Sequence, residues 1–365
     1  MKYKSGHAEL MRRAIELGAT RTYIASPNPG VGAVLAVGTE IIGEGATTYD
    51  GGPHAEVMAV RDAERRGHGN RLAMATMYVS LEPCSISGRT PPCADLIIER
   101  GIPRVYIGSL DFTPGVCGNG AERLRRAGVK VCVGLLQKDA FEVARVRHTI
   151  TLENRPYVIL KQAVSANRYV GNRTSQVRLS GLTANTVSHR WRSEVGAILV
   201  GAGTVVADDP SLTTRLVSGS SPLRVILQLG DRPLPLYRRL FTDGAPTVLA
   251  TAFEYGEGSY GPQTELLDVG RGSKRRQLRT LFGFLLRRRV GSLLVEGGPT
   301  TLSLFDEQDC WDEYREWRCP TVEVPPDGDA VPAHRFTHTR LRSSQRFGDD
   351  VLDVYEPRPG SRRRC

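Results

Sequence analysis

Short apolar runs alternate with helix-length amphipathic segments along most of this 365-residue chain, and the alternation breaks once, near residue 150. In the first stretch Gly32 to Val37 (GAVLAV) and Thr76 to Leu81 (TMYVSL) read as buried strands, as do Val105 to Gly108 and Val129 to Val133. Helical patterns lie between them at Ala55 to Arg66, Ala94 to Arg100 and Gly120 to Ala127. Such a βαβ rhythm implies a largely parallel sheet covered by helices. It ends in a basic stretch, Val143 to Thr151, which is given no element. A second alternation then predicts strands at Pro156 to Lys161, Ala197 to Val200, Leu223 to Leu227, Thr247 to Thr251 and Ser292 to Val295. Helices are expected at Thr183 to Glu194 and Arg276 to Arg289. Two α/β domains follow, 1–150 and 151–365. Beyond Glu316 the sequence is Pro-rich and poorly periodic, and no element is assigned there.

Composition narrows the class. Hydrophobic residues make up 40% and charged residues 24%, as in soluble globular domains. No run of apolar residues is long enough for a membrane span. The N-terminal MKYKSGHAELMRRAIELG reads as an amphipathic helix rather than a signal peptide. The seven cysteines therefore read as reduced thiols of a cytoplasmic protein. The net charge of +10 sits mostly in arginine runs without interleaved aromatics, which argues against a base-stacking surface and for a small anionic substrate.

His-Ala-Glu occurs twice, at His7 and at His54. The first copy lies in the N-terminal helix with no strand before it and reads as surface. The second follows a Gly-rich loop and opens an apolar helix. About thirty residues later a strand runs into Glu82-Pro83-Cys84, and eight residues separate that cysteine from Cys93. His54, Cys84 and Cys93 would give Zn²⁺ three ligands and keep one of its four positions open, as catalytic zinc requires. Glu56, two residues past the histidine, would deprotonate the zinc water and protonate a leaving amine. Nucleic-acid deaminases carry H-x-E with P-C-x-x-C, a spacing this chain does not have.

In the second domain Glu296-Gly297-Gly298 ends a strand before a helix, and Gly201-Ala202-Gly203 follows another. Either turn could let a phosphate approach backbone N–H groups, or could be only a tight turn.

The run E-P-C-S-x-x-G-R-T-P-P-C, with Pro27-Asn28-Pro29-Gly30-Val31-Gly32 upstream, resembles the bifunctional riboflavin-biosynthesis deaminase–reductase family. The resemblance continues through Tyr157 to Ala163, His189 to Arg192, Ala207 to Arg215 and Val295 to Thr300. It implies a cytidine-deaminase-like αβα domain followed by a dihydrofolate-reductase-like α/β domain. It further implies zinc-dependent deamination of a phosphorylated diaminopyrimidine and reduction of its ribosyl group by NADPH, in a homo-oligomer. Asn28, Arg89 and Thr90 would line the deaminase pocket. Lys161, Ser175, Arg192, Leu212, Arg215 and Glu296 would face the reductase substrate, with Arg192 and Arg215 as phosphate anchors. Ala163, Val177, Thr204, Asp208, Gly298, Pro299, Thr300, Thr301 and Leu302 would face the nucleotide.

The chain departs from the family pattern in several places. Ile86 and Ser87 replace a histidine and an aromatic or histidine. The S-L-D-G turn appears as Ser165-Ala166-Asn167-Arg168, and an I-L-D strand end as Ile226-Leu227-Gln228, followed by Leu229. N-x-x-F appears as Ala144-Arg145-Val146-Arg147. Two alternatives stay open: an active deaminase beside a non-catalytic reductase-like domain, which the changes at Ala166 to Arg168 and Gln228 motivate, and a deaminase of nucleic-acid bases, which the basic charge and the shared H-x-E and P-C core suggest.

Overall fold

The first sheet is built around GAVLAV, whose every residue but the last is buried. A computed structural model describes residues 5–86, 91–113, 117–174, 177–230, 234–235, 237–254, 260–358 and 360. The chain divides into two units, Met1–Asn154 and Arg155–Cys365.

In the first unit the strands are β1 (Gly32–Val37), β2 (Glu40–Ala46), β3 (Thr76–Leu81), β4 (Arg104–Ser109) and β5 (Lys130–Val133). Their order across the sheet is β2-β1-β3-β4-β5. Strands β3, β4 and β5 are parallel, but β1 is antiparallel to both its neighbours, so the sheet is mixed rather than largely parallel. Strand β2, EIIGEGA, escapes a sequence reading because glycines interrupt its apolar pattern. Those glycines let helix α2 (Ala55–Arg65) approach. A Cβ at Gly43 would lie 2.4 Å from the Ala59 carbonyl oxygen, and one at Gly45 2.5 Å from Met58 Cβ.

Helix α1 (Ser5–Ala19) packs Leu10, Met11 and Ala14 with Val34 and Tyr78. Helix α3 (Cys93–Glu99) and α4 (Asn119–Arg126) join α2 in burying their apolar sides with the β-strand core. The basic stretch given no element folds as α5 (Gln137–Val143) and α6 (Arg145–Glu153); its arginines lie between buried Ala140, Val143, Val146 and Thr149 and hide the apolar stripe. Nor is His7 a free surface residue. Its Nδ1 lies 2.6 Å from the Tyr78 hydroxyl, and its ring stacks on Tyr106 at 4.6 Å.

Antiparallel pairing of β1 has a functional consequence. Gly32 pairs with Ala46 and Ala33 with Val79, so the start of β1 and the ends of β2, β3 and β4 share one end of the sheet. The segments bearing Asn28, His54, Cys84 and Asp111 therefore emerge together.

The second unit contains β6 (Tyr157–Ser165), β7 (Tyr169–Asn172), α7 (Leu182–Glu194), β8 (Ala197–Gly201), α8 (Ala202–Asp208) and β9 (Leu223–Gln228). It continues with α9 (Arg239–Thr242), β10 (Thr247–Thr251), β11 (Thr264–Asp268), α10 (Lys274–Arg287), β12 (Ser292–Val295) and α11 (Pro299–Glu307). It ends with β13 (Glu313–Cys319), β14 (Ala330–Pro332), β15 (Thr339–Phe347) and β16 (Asp350–Pro357). Nine of these strands form one sheet in the order β11-β10-β9-β8-β12-β6-β13-β16-β15, parallel from β11 to β13 and antiparallel beyond. Arg155 and Asp312, both buried, pair at 2.5 Å, and Asp312 also accepts from the Val158 amide, fixing the start of β6. Hairpin β15–β16 lies in the stretch beyond Glu316 for which the sequence predicts no element. Most of β15 is exposed, so no apolar alternation marks it.

Candidate active sites

Each zinc-type ligand of the first unit stands at a chain reversal. His54 is the extended residue just before α2, Cys84 follows β3, and Cys93 opens α3 behind Pro92. The Ala94 amide donates to the Cys84 carbonyl at 3.1 Å and the Cys93 amide to Cys84 Sγ at 3.3 Å, so the two cysteine segments close on each other. His54 Nδ1 lies 3.6 Å from Cys84 Sγ and 3.3 Å from Cys93 Sγ, and all three ligand atoms fall within 4.8 Å. Bond lengths of ~2.1 Å to nitrogen and ~2.3 Å to sulfur place tetrahedral ligands about 3.5 Å apart. The donor set therefore fits zinc with one position left over.

The electrostatics agree with that use. Hydrogen bonding from Cys93, reinforced by His54, holds the Cys84 thiol down to about 4 despite burial. The Cys93 thiol is pushed up, first by its hydrogen bond to Cys84. Cys84 also raises the His54 imidazole. Glu56 is only 3% exposed, and burial, with Cys84 nearby, pushes its carboxyl up to about 7. A carboxyl poised near neutrality can both accept and return a proton.

Asn28 lies just after the cis Ser26–Pro27 bond, in the segment entering β1. Arg89 and Thr90 lie outside the described residues, and Ile86 is 54% exposed. One important residue of the motif went unread. Glu82, buried, accepts from the amides of Gly118 at 2.9 Å, Ala121 at 3.0 Å and Asp111 at 3.3 Å. It locks the start of α4 against the Cys84 segment. A Cβ at Gly120 would sit 1.9 Å from the Pro83 carbonyl oxygen, so only glycine permits the contact. The cue lay in an acid beside a ligand cysteine and a Gly-x-Gly before a helix.

In the second unit a cavity of about 310 Å³ is lined by Lys161, Gln162, Ala163, Arg192, Thr204, Asp208, Leu212, Glu296 and the Gly297 to Pro299 turn, among others. It opens at the C-terminal ends of β8 and β12. The chain leaves β8 toward β9 on one side and β12 toward β13 on the other, the divergence at which open α/β sheets bind nucleotides. The two turns are cross-linked there. Gly298 N–H donates to Thr204 Oγ1 at 3.2 Å, while a Cβ at Gly297 or Gly201 would collide with Thr301. A glycine cradle before α11 fits a dinucleotide phosphate.

Glu296 dominates the cavity's electrostatics. Arg192 grips it with two bonds of 3.0 and 2.8 Å, and Lys161 Nζ lies 3.9 Å away. Burial alone would raise its carboxyl, but Arg192 and Lys161 bring it down to about 2. Arg192, expected to anchor phosphate, thus spends its fork on Glu296. Arg215 is exposed, bonds Thr213 and Ser211, and its amide donates to His189 Nδ1 at 3.0 Å. Burial and the cations Arg192 and Arg215 push that histidine down to about 4. Leu212 lines the cavity in a left-handed conformation with φ +54°, rare for a branched side chain. Leu302 turns its side chain into the core, Thr301 lies behind the glycines, and Thr300 is exposed. Val177 does not line this cavity, and Ser175 lies outside the described residues.

The substituted turn after β6 is intact. Arg168 adopts φ +67°, normally left to glycine, and its guanidinium bonds both oxygens of Glu316 at 2.7 and 3.2 Å. Asn167 exchanges hydrogen bonds with the Val324 backbone.

Comparison with known proteins covers both units. Residues 4–109 match the cytidine and deoxycytidylate deaminase zinc-binding region, and residues 156–352 match the RibD C-terminal domain. The riboflavin biosynthesis protein RibD of Aquifex aeolicus is 36% identical over 319 residues, covering 86% of each chain. The chain belongs to the RibD family. RibD of Escherichia coli is 32% identical over 326 residues, 86% of this chain and 87% of that one. A Thermotoga maritima structure, a diaminohydroxyphosphoribosylaminopyrimidine deaminase/5-amino-6-(5-phosphoribosylamino)uracil reductase, superposes with a TM-score of 0.82 at 32% identity, over 96% of this chain and 99% of that one. Acinetobacter baumannii RibD gives 0.81 at 27% identity, with the same coverage. This RibD chain is thus a bifunctional zinc deaminase and NADPH-dependent reductase of riboflavin biosynthesis, with a cytidine-deaminase-like first unit and a RibD reductase second unit. Among the described residues no helix is long and apolar enough to cross a membrane.

Proposed function

We propose that the first unit removes an exocyclic amine from 2,5-diamino-6-(5-phosphoribosylamino)pyrimidin-4-one, and that the second reduces the ribosyl group of the deaminated product to ribityl. The observation that carries this reading is the meeting of His54, Cys84 and Cys93 beside buried Glu56, in a chain whose other unit is a RibD reductase domain. When bound through those three ligands, zinc supplies Lewis acidity and lowers the pKa of a water. Glu56 takes a proton from the attacking water on its carboxylate and delivers it to the departing amine. Asn28, Arg89 and Thr90 orient the pyrimidine.

Thr204, Asp208 and the Gly298–Leu302 turn would hold NADPH, which when bound would supply the hydride for the second step. Glu296 positions Lys161 and Arg192 at the cavity, and the Lys161 ammonium donates a proton to the sugar oxygen as the ring opens. Arg215, whose guanidinium is lowered by partial desolvation and then by the nearby cations Arg192 and Arg239, anchors the phosphate. We place the enzyme in the cytoplasm as a homo-oligomer acting on a small phosphorylated pyrimidine and not on nucleic acid. A single coupled assay tests the reading. Ammonia release must precede loss of NADPH absorbance, and release without NADPH oxidation would leave the second unit non-catalytic.

A further inference from the structure

Two arginines leave helix α6 two residues apart and meet different surroundings. Arg145 bonds the Tyr23 hydroxyl at 2.6 Å, packs over that ring, and donates to the Glu142 carbonyl. Arg147, the residue standing where the family pattern has phenylalanine, bonds a hydroxyl. Its Nε and Nη2 donate to Thr113 Oγ1 at 3.3 and 3.1 Å. Among the described residues no carboxylate comes within ion-pair distance of this half-buried guanidinium. A partly desolvated cation with a neutral partner is costly unless an anion joins it.

The position of Thr113 says where that anion would come from. Thr113 caps its own turn, its amide and hydroxyl both donating to Asp111 Oδ1 at 2.9 and 2.6 Å. The Asp111 amide in turn bonds Glu82, two residues before Cys84, and the Glu82 amide bonds the Ser109 carbonyl at 2.9 Å. Arg147 is therefore tied, through one hydroxyl and one turn, to the sheet end from which Cys84 and His54 emerge. Asp111 Oδ1 accepts from the hydroxyl that Arg147 binds, so the carboxylate stands one hydrogen bond beyond the guanidinium rather than against it.

We propose that Arg147 is an anion anchor of the deaminase pocket, binding the phosphate of the substrate through the guanidinium edge that Thr113 leaves open. This rests on the deaminase reading above and names a specificity residue for it. Thr113 acts as the positioning partner that holds the fork. A guanidinium replacing an aromatic ring here exchanges apolar packing for charge recognition.

The test uses the full-length zinc-loaded enzyme with the phosphorylated substrate and with its dephosphorylated riboside, following ammonia release. Arg147→Gln is expected to raise KM for the phosphorylated compound by about 10- to 100-fold, the usual loss for one charge-assisted contact, and to narrow the preference over the riboside. Arg147→Lys is expected to restore part of that preference. Equal loss on both substrates would reduce Arg147 to a support for the 111–113 turn and overturn the proposal. Failure of the deaminase reading looks different: wild type would release ammonia from neither compound. Inorganic phosphate, followed by thermal unfolding of holoenzyme, then decides the anchor alone. Greater protection of wild type than of Arg147→Gln supports it, and equal protection overturns it.

Discussion

The two units build their sites from opposite materials. The first gathers one imidazole and two thiols from three short segments and leaves one buried carboxyl, Glu56, on which the opposing pull of the His54 imidazole is too weak to offset burial. The second sinks a carboxylate, Glu296, and surrounds it with Arg192 and Lys161. In the first, burial wins and the acid rises toward neutrality, where it can trade protons. In the second, the paired cations win over burial and the acid stays charged, so it can hold other groups but not shuttle protons at neutral pH. The same residue type thus becomes a proton carrier or a fixed post according to which neighbour is buried with it.

The difference can be broken most severely by removing the metal. Chelation is expected to abolish ammonia release while hydride transfer to the deaminated compound persists, measured in parallel on one preparation. Parallel loss of both activities would show that the second site depends on the first. Next in size is Glu56→Gln, which should retain zinc and lower the deamination rate by about 10²- to 10⁴-fold, the range of a lost general acid–base group. Zinc content by metal analysis separates that outcome from a collapsed site.

The same contrast explains what could be read from the sequence. His54, Cys84 and Cys93 were legible because each sits at a loop-to-helix or strand-to-loop junction carrying a chemically unusual residue. Glu296, Arg192 and Lys161 come from three distant segments and are ordinary ion-pairing residues until the fold joins them, so only family likeness singled them out. Strands β1, β3, β10 and β12 were plain from their apolar runs. Strand β2 was not, because its glycines serve the approach of α2, and β15 was not, because it has no buried face. The pairing of Arg192 with Glu296 escapes the sequence for the same reason: the two stand 104 residues apart.

Glu296→Gln sharpens the comparison at the second site. It leaves Arg192, and Lys161 beside it, without their counter-charge, and breaking such a buried pair costs about 3–5 kcal/mol. We expect NADPH oxidation to be lost and the second unit to unfold at lower denaturant, with ammonia release and zinc content unchanged. A variant as stable as wild type would mean that water, not Glu296, balances those cations.

The smallest effect separates two histidines. In the second unit His189 accepts a hydrogen bond from the Arg215 amide, whereas both ring nitrogens of His148 are buried and find no hydrogen-bond partner among the described residues. His148 stacks on Phe141 at 4.0 Å and meets Phe112 edge-on, with Asp111 and Arg147 the charged groups acting on it. Burial pushes its imidazole down to about 4, Asp111 opposing and Arg147 assisting. The unfolded chain takes up that proton near pH 6.5 and the folded one only near 4. Stability is therefore complete above about pH 6.5 and falls between there and about 4, by about 3 kcal/mol at most. His148→Leu should flatten this part of the denaturation profile of the first unit, and an unchanged pH slope would assign the loss to other groups.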